Sequence, residues 1–162
     1  MTTTNLSTVA LVQNPALGAL LLWRFGKSYQ DERLIEPALM HSFFVILPLL
    51  YHAPTLDRIR STNASSGLSL FAKKMAEERE LLVSVQGRAL KMRDLTLSSI
   101  GAAISSGLMN LSYDTGRLRS NEARPPKPPE RLKYHVAGAE KLGHWFARLS
   151  LDQAFALLWV EP

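Results

Sequence analysis

From Ala38 to Ala53 the chain has almost no polar face: Phe43, Phe44, Val45, Ile46, Leu47, Leu49 and Leu50 point apolar groups in every helical direction. Any fold for this chain has to be assembled around that stretch. It carries His41, Ser42, Pro48 and His52 and is shorter than the roughly 20 residues of a membrane span, so a buried core helix is predicted and a membrane segment is not. Pro37 suits the first turn of that helix, and Pro48 bends or ends it.

The other apolar positions recur at helical spacing. Asn14-Pro15 is a cap followed by a pre-set first residue, and Leu17, Leu21 and Phe25 continue a stripe to about Tyr29. Pro54 restarts a short helix through Arg60, residues 61–67 read as a loop, and Leu68, Phe71 and Met75 mark another helix. Leu81, Leu82, Val85, Ala89 and Met92 predict one amphipathic helix over Glu78–Asp94. Thr96 is a candidate N-cap for the next helix, which should bury Leu97, Ile100, Ile104 and Leu108, stop at Gly107 and turn Thr96, Ser98, Ser99 and Ala102 outward.

After Leu108, a Tyr113-Asp-Thr-Gly116 turn between two short alternating runs predicts a β-hairpin. Helix, helix, hairpin is the order of a winged helix-turn-helix, expected over 68–120, with an αα-hairpin and irregular loop as the alternative. The fold class is therefore mainly α, a helical domain with a winged-helix-like unit and one small β-hairpin wing. Pro125-Pro-Lys-Pro-Pro129 forms a stiff spacer within 121–129. A helix over Glu130–Leu149 follows, and Ser150-x-x-Gln153 is a capping box for a last helix through Trp159, so 130–162 supplies the C-terminal helices.

Residues 14–162 are expected to make a single domain, preceded by a flexible arm at 1–13 that lacks the basic and cleavage regions of a signal peptide. With 46% apolar residues the chain buries a core without covalent staples, and the absence of cysteine excludes disulfides and thiolate chemistry and points to the cytoplasm.

Chemistry-bearing motifs are missing. His41 and His52, and His135 and His144, are too far apart in sequence for a helical metal pair, and Glu77, Glu78 and Glu80 read as a solvated helix start. No phosphate-binding glycine loop and no Gly-x-Ser-x-Gly elbow occurs, although Ser65-Ser66-Gly67 and Ser105-Ser106-Gly107 are rich in hydroxyls. The reading is a protein with no enzymatic activity and no cofactor or metal. The charge does cluster: six basic residues against Glu122 and Glu130 lie between Arg117 and Lys133, within a net charge of +5. Arg88, Lys91, Arg93, Arg117, Arg119, Arg124 and Lys127 are the candidate contacts to a protein partner or, nonspecifically, to DNA phosphates. The helix after Thr96 offers no bidentate base reader before Asn110, which argues against sequence-specific DNA binding.

The series Asn14-Pro-Ala-Leu-Gly-Ala-Leu-Leu-Leu-Trp23, Val45-Ile-Leu-Pro-Leu-Leu-Tyr-His52, Arg60-Ser-Thr, Ser66-Gly-Leu and Arg88-Ala-Leu-Lys-Met-Arg-Asp-Leu-Thr-Leu97 resembles the middle component of three-component ABC-ATPase systems, over about Asn14–Pro162. These are bacterial conflict systems related to Lamassu-type defence. The resemblance implies an adaptor between an SMC-like ABC ATPase and an effector, a nuclease or other toxin, and carries no catalytic residue with it. The competing expectation is a stand-alone winged-helix DNA-binding regulator.

Overall fold

A computed structural model describes residues 13–161; the expected arm at 1–13 lies outside the described residues except for Gln13. Helix α1 (Pro15–Glu32) starts where expected, with the Asn14 side chain accepting from the Ala16 amide at 2.9 Å, and runs one turn past Tyr29. It is the central strut because it is approached at the backbone. A Cβ on Gly143 would lie 2.7 Å from Ser28 Cβ and 2.9 Å from the Tyr29 amide nitrogen, so only glycine lets the C-terminal helix α7 (Lys133–Ala147) sit this close.

The apolar stretch is the core, but it is not one helix. Pro37 precedes a two-residue strand, β1 (Ala38–Leu39), then a 3-10 helix (Met40–Val45) and a new helix, α2 (Ile46–Leu50). Pro48 explains the break. In a continuous helix its ring would collide with the Phe44 carbonyl, whereas as the third residue of α2 it needs no amide partner. Phe43, Val45, Ile46, Leu47, Leu49 and Leu50 are buried, and Phe44 is half-buried.

Helices α3 (Ala53–Arg60) and α4 (Gly67–Ala76) follow as predicted. The helix expected over Glu78–Asp94 is present as α5 (Arg79–Lys91), and the next begins before Thr96, as α6 (Arg93–Ser105), with Met92 between them at φ −97°, ψ 7°. Thr96 is therefore no cap: it lies inside α6, fully buried. The buried stripe of α6 is Thr96, Ser99, Ile100 and Ala103; Ile100 and Leu108 are buried and Ser98 exposed as expected, whereas Leu97 and Ile104 are exposed and Thr96 and Ser99 buried, a rotation of the expected face. Close packing decides this. Gly18 of α1 faces Ser99 so tightly that a Cβ there would lie 2.9 Å from Ser99 Cβ, and the bulkier leucine and isoleucine do not fit that seam. The helix ends on Gly107 at φ +79°, with the Leu108 amide bonded to Ala103 O at 2.9 Å, a Schellman closure.

The hairpin is present as β2 (Met109–Ser112) and β3 (Arg117–Ser120), and β1 adds to it to give an antiparallel sheet of order β1-β3-β2, with Leu118 opposite Ala38 and Leu111. The Gln30 side chain extends the short β1 edge by bonding both the amide and the carbonyl of Ser120, at 2.7 and 3.0 Å. Helix α5, helix α6 and hairpin follow one another as in a winged helix. Residues 68–120 do not stand apart, however, since the sheet takes a strand from Ala38–Leu39 and α6 packs on α1.

Beyond the proline strap, a 3-10 turn (Glu130–Leu132) leads into α7, which starts at Lys133 and not at the expected Glu130. The capping box at Ser150 and Gln153 starts α8 (Leu151–Leu157), which ends before Trp159, itself at φ +57°. No helix among the described residues is long and apolar enough to cross a membrane.

Candidate interaction surfaces

The seven basic candidates do not converge on one face. Arg117 is committed inside the fold: it donates to Pro37 O at 2.7 Å and pairs with Glu36 at 2.9 Å, stitching β3 to the chain entering β1. Arg88 points inward to the hydroxyls of Ser84 and Thr55, with its Nε buried and without a hydrogen-bond partner among the described residues, and burial lowers its pKa. Lys91, Arg93, Arg119, Arg124 and Lys127 are exposed.

The exposed cations are distributed over separate grooves. Arg93 lines one of about 580 Å³ with Met40, Phe44, Leu90, Leu97 and Val160, where the junction of α5 and α6 meets the 3-10 helix and the C-terminal residues. Arg117 and Arg119 line a second, of about 430 Å³, with Glu36, Pro37 and Leu111. Arg124 and Lys127 stand on the strap over a third, beside Leu20 and Trp23.

The histidines are likewise apart. His52 is the residue before the first turn of α3, its Nδ1 2.8 Å from Thr55 Oγ1 and not bonded to the helix amides, and burial, aided by Arg88, lowers its pKa. His135 lies against Tyr51, ring centroids 6.0 Å apart; burial lowers the histidine pKa and raises that of the tyrosine to about 12. His144 Nδ1 is 3.2 Å from Glu32, whose carboxyl is held below its usual pKa chiefly by its bond to Arg148. Among the described residues no three histidine, aspartate or glutamate side chains form a metal-ligand set. Of the acidic run at the start of α5, Glu78 pairs with Arg58 at 2.8 Å.

What the sequence reading missed is apolar. Leu90 and Leu97 are 64% and 41% exposed on the rim of the first groove, and Leu34 and Ile35, after α1, are 86% and 90% exposed. Leu34-Ile35 carried a signal, two large aliphatic residues between the charged runs Asp31-Glu-Arg33 and Glu36 with no helical partner positions. Leu90 stands outside the apolar stripe read for its helix, whereas Leu97 carried no signal, because it fits a helical stripe whose orientation only the packing settles. Of the C-terminal aromatics, Trp145, Phe146 and Phe155 are core and Trp159 is half exposed.

Comparison with protein-family models matches residues 3–162 to Middle Component 3 of the ABC-three component (ABC-3C) systems. Comparisons with curated proteins and with solved structures return no match.

Proposed function

Since the chain belongs to the Middle Component 3 family of ABC-three component systems, we propose that it is a non-catalytic adaptor working in the cytoplasm. Its role on this reading is to bridge an SMC-like ABC ATPase and an effector, a nuclease or other toxin, in a complex that acts against phages or plasmids. The family match, which spans nearly the whole chain, carries the reading. Exposed aliphatic side chains in and beside grooves support it, because such surface is stabilised by covering it with another protein.

The competing reading, a stand-alone DNA-binding regulator, calls for a continuous basic stripe. The unpaired cations are scattered over separate grooves, and the small-residue face of α6 that would enter a DNA groove is partly consumed against α1. The two readings part in one experiment: the tagged chain, expressed with its neighbouring genes, is affinity-purified at low and high salt after nuclease treatment. Stoichiometric recovery of a long coiled-coil ATPase is expected. Recovery of the chain alone, with tight salt-sensitive binding to duplex DNA in a separate titration, overturns the adaptor in favour of the regulator.

A further inference from the structure

Two neighbouring grooves run beside the proline strap, of about 670 and 380 Å³, and they share Leu20, Ala123, Arg124, Pro125 and Pro126. They form one channel. At one end its floor is Ala19, Ala102 and Leu108, between α1 and α6, and at the other it is Trp23 and Val136. The charged side chains in its walls are Arg24, Arg124 and Lys127, all cations.

The acids near these cations are already engaged. Glu122 pairs with Lys27, Glu130 with Lys133, and Glu140 with Arg24 at 3.5 Å. Arg124 and Lys127 are left exposed, without a carboxylate partner among the described residues. The strap that carries them makes no backbone hydrogen bond to the body between Glu122 and Pro128 among the described residues. Its carbonyls and the floor beneath it are thus open to an occupant.

An apolar floor under unneutralised cations selects for a ligand that is apolar on one side and anionic on the other. We propose that this channel docks an acidic, apolar-anchored segment of a protein partner, with carboxylates beside Arg124 and Lys127 and aliphatic or aromatic side chains over Leu20 and Ala123. This deepens the adaptor reading and rests on it. Nucleic acid suits the channel less well. Phosphates gain nothing from its alanine, leucine and valine floor, and the Trp23 ring is already engaged, its Nε1 donating to Asn121 O at 2.9 Å and its face covered by Arg24.

The test places the photo-cross-linking residue p-benzoylphenylalanine at exposed Ser105, on the channel wall, in the full chain co-expressed with its neighbouring genes. After irradiation of the purified complex, mass spectrometry identifies the captured peptide. A peptide from another subunit in which Asp and Glu alternate with large apolar residues is expected. The double variant Arg124→Glu with Lys127→Glu should lower the yield roughly ten-fold and weaken its salt dependence. The charge-reversed pair Lys73→Glu and Arg79→Glu, exposed on α4 and α5 away from the channel, should leave it unchanged. Capture of a neutral or basic peptide, of this chain itself or of DNA overturns the proposal, as does a yield indifferent to Arg124 and Lys127; in each case the adaptor reading stands if the complex still forms. Failure of the unsubstituted chain to recover any subunit removes that reading, and the proposal with it.

Discussion

Phe43 and Phe44 are neighbours in the chain and hold different things together. The Phe43 ring is fully buried and meets Phe25 edge-on at 5.1 Å, whereas Phe44 lines the groove at the junction of α5 and α6 and is half-buried. Treating the whole stretch as one core helix assigns both to the core, and the break forced by Pro48 is what separates them. Phe43→Ala is expected to cost about 3–5 kcal/mol, as for other fully buried aromatics, and Phe44→Ala about 1–2 kcal/mol, in proportion to the area it buries. Urea denaturation of both variants checks this. Equal losses would place the groove wall inside the core and remove the groove from consideration as a surface. The same scale shows why Thr96 was misread. A threonine before an apolar run has the chemistry of a cap, but Thr96 is buried in α6, its hydroxyl without a partner among the described residues, because the tight seam between α1 and α6 takes small side chains where Gly18 meets Ser99.

Among elements, most of the helices were legible in the sequence because a 3.6-residue repeat and its caps are local signals. Asn14-Pro15, the Ser150 and Gln153 box and the Tyr113–Gly116 turn all act where the chemistry of a few residues dictates. Orientation and strand pairing are not local. Nothing within Pro37–Leu39 announces that it will join a hairpin eighty residues away, and so Arg117 reads from sequence as a candidate partner contact when it is tied to Pro37 and Glu36. Arg117 and Arg119, two apart on β3, should accordingly respond differently to charge reversal. Arg117→Glu breaks a charge-assisted bond and sets two acids side by side, which should destabilise the fold by about 1–2 kcal/mol. Arg119→Glu should change stability by less than about 0.5 kcal/mol, as an exposed substitution. Thermal unfolding of the two single variants separates them. Indifference at Arg117 would mean that β1 is not held by that side chain.

For the molecule as a whole, the candidate surfaces were less legible than the fold: composition located the cations, but neighbours distant in sequence decide which are neutralised, as Glu36 does for Arg117. Such long-range burial also sets how the fold answers to pH. His52 and His135 sit at helix starts, the one following Tyr51 in the chain and the other against its ring, and burial lowers the pKa of both from 6.5. In the unfolded chain each takes up its proton as pH falls through about 6.5, the ordinary histidine value. In the folded chain each stays neutral to lower pH, so in that window the unfolded state binds more protons and stability rises with pH. Folding stability is therefore full above about pH 6.5 and declines below it, before Glu32, whose carboxyl is also lowered from its ordinary 4.5, begins to lose its bond to Arg148. Urea midpoints measured from about pH 7.5 down to about pH 5, across the ordinary histidine pKa, should fall, and His135→Gln should flatten part of that slope. A midpoint that stays level across the window, or a slope untouched by His135→Gln, would show that the imidazole beside Tyr51 is hydrated in the folded chain and that α7 does not seal that side of the core.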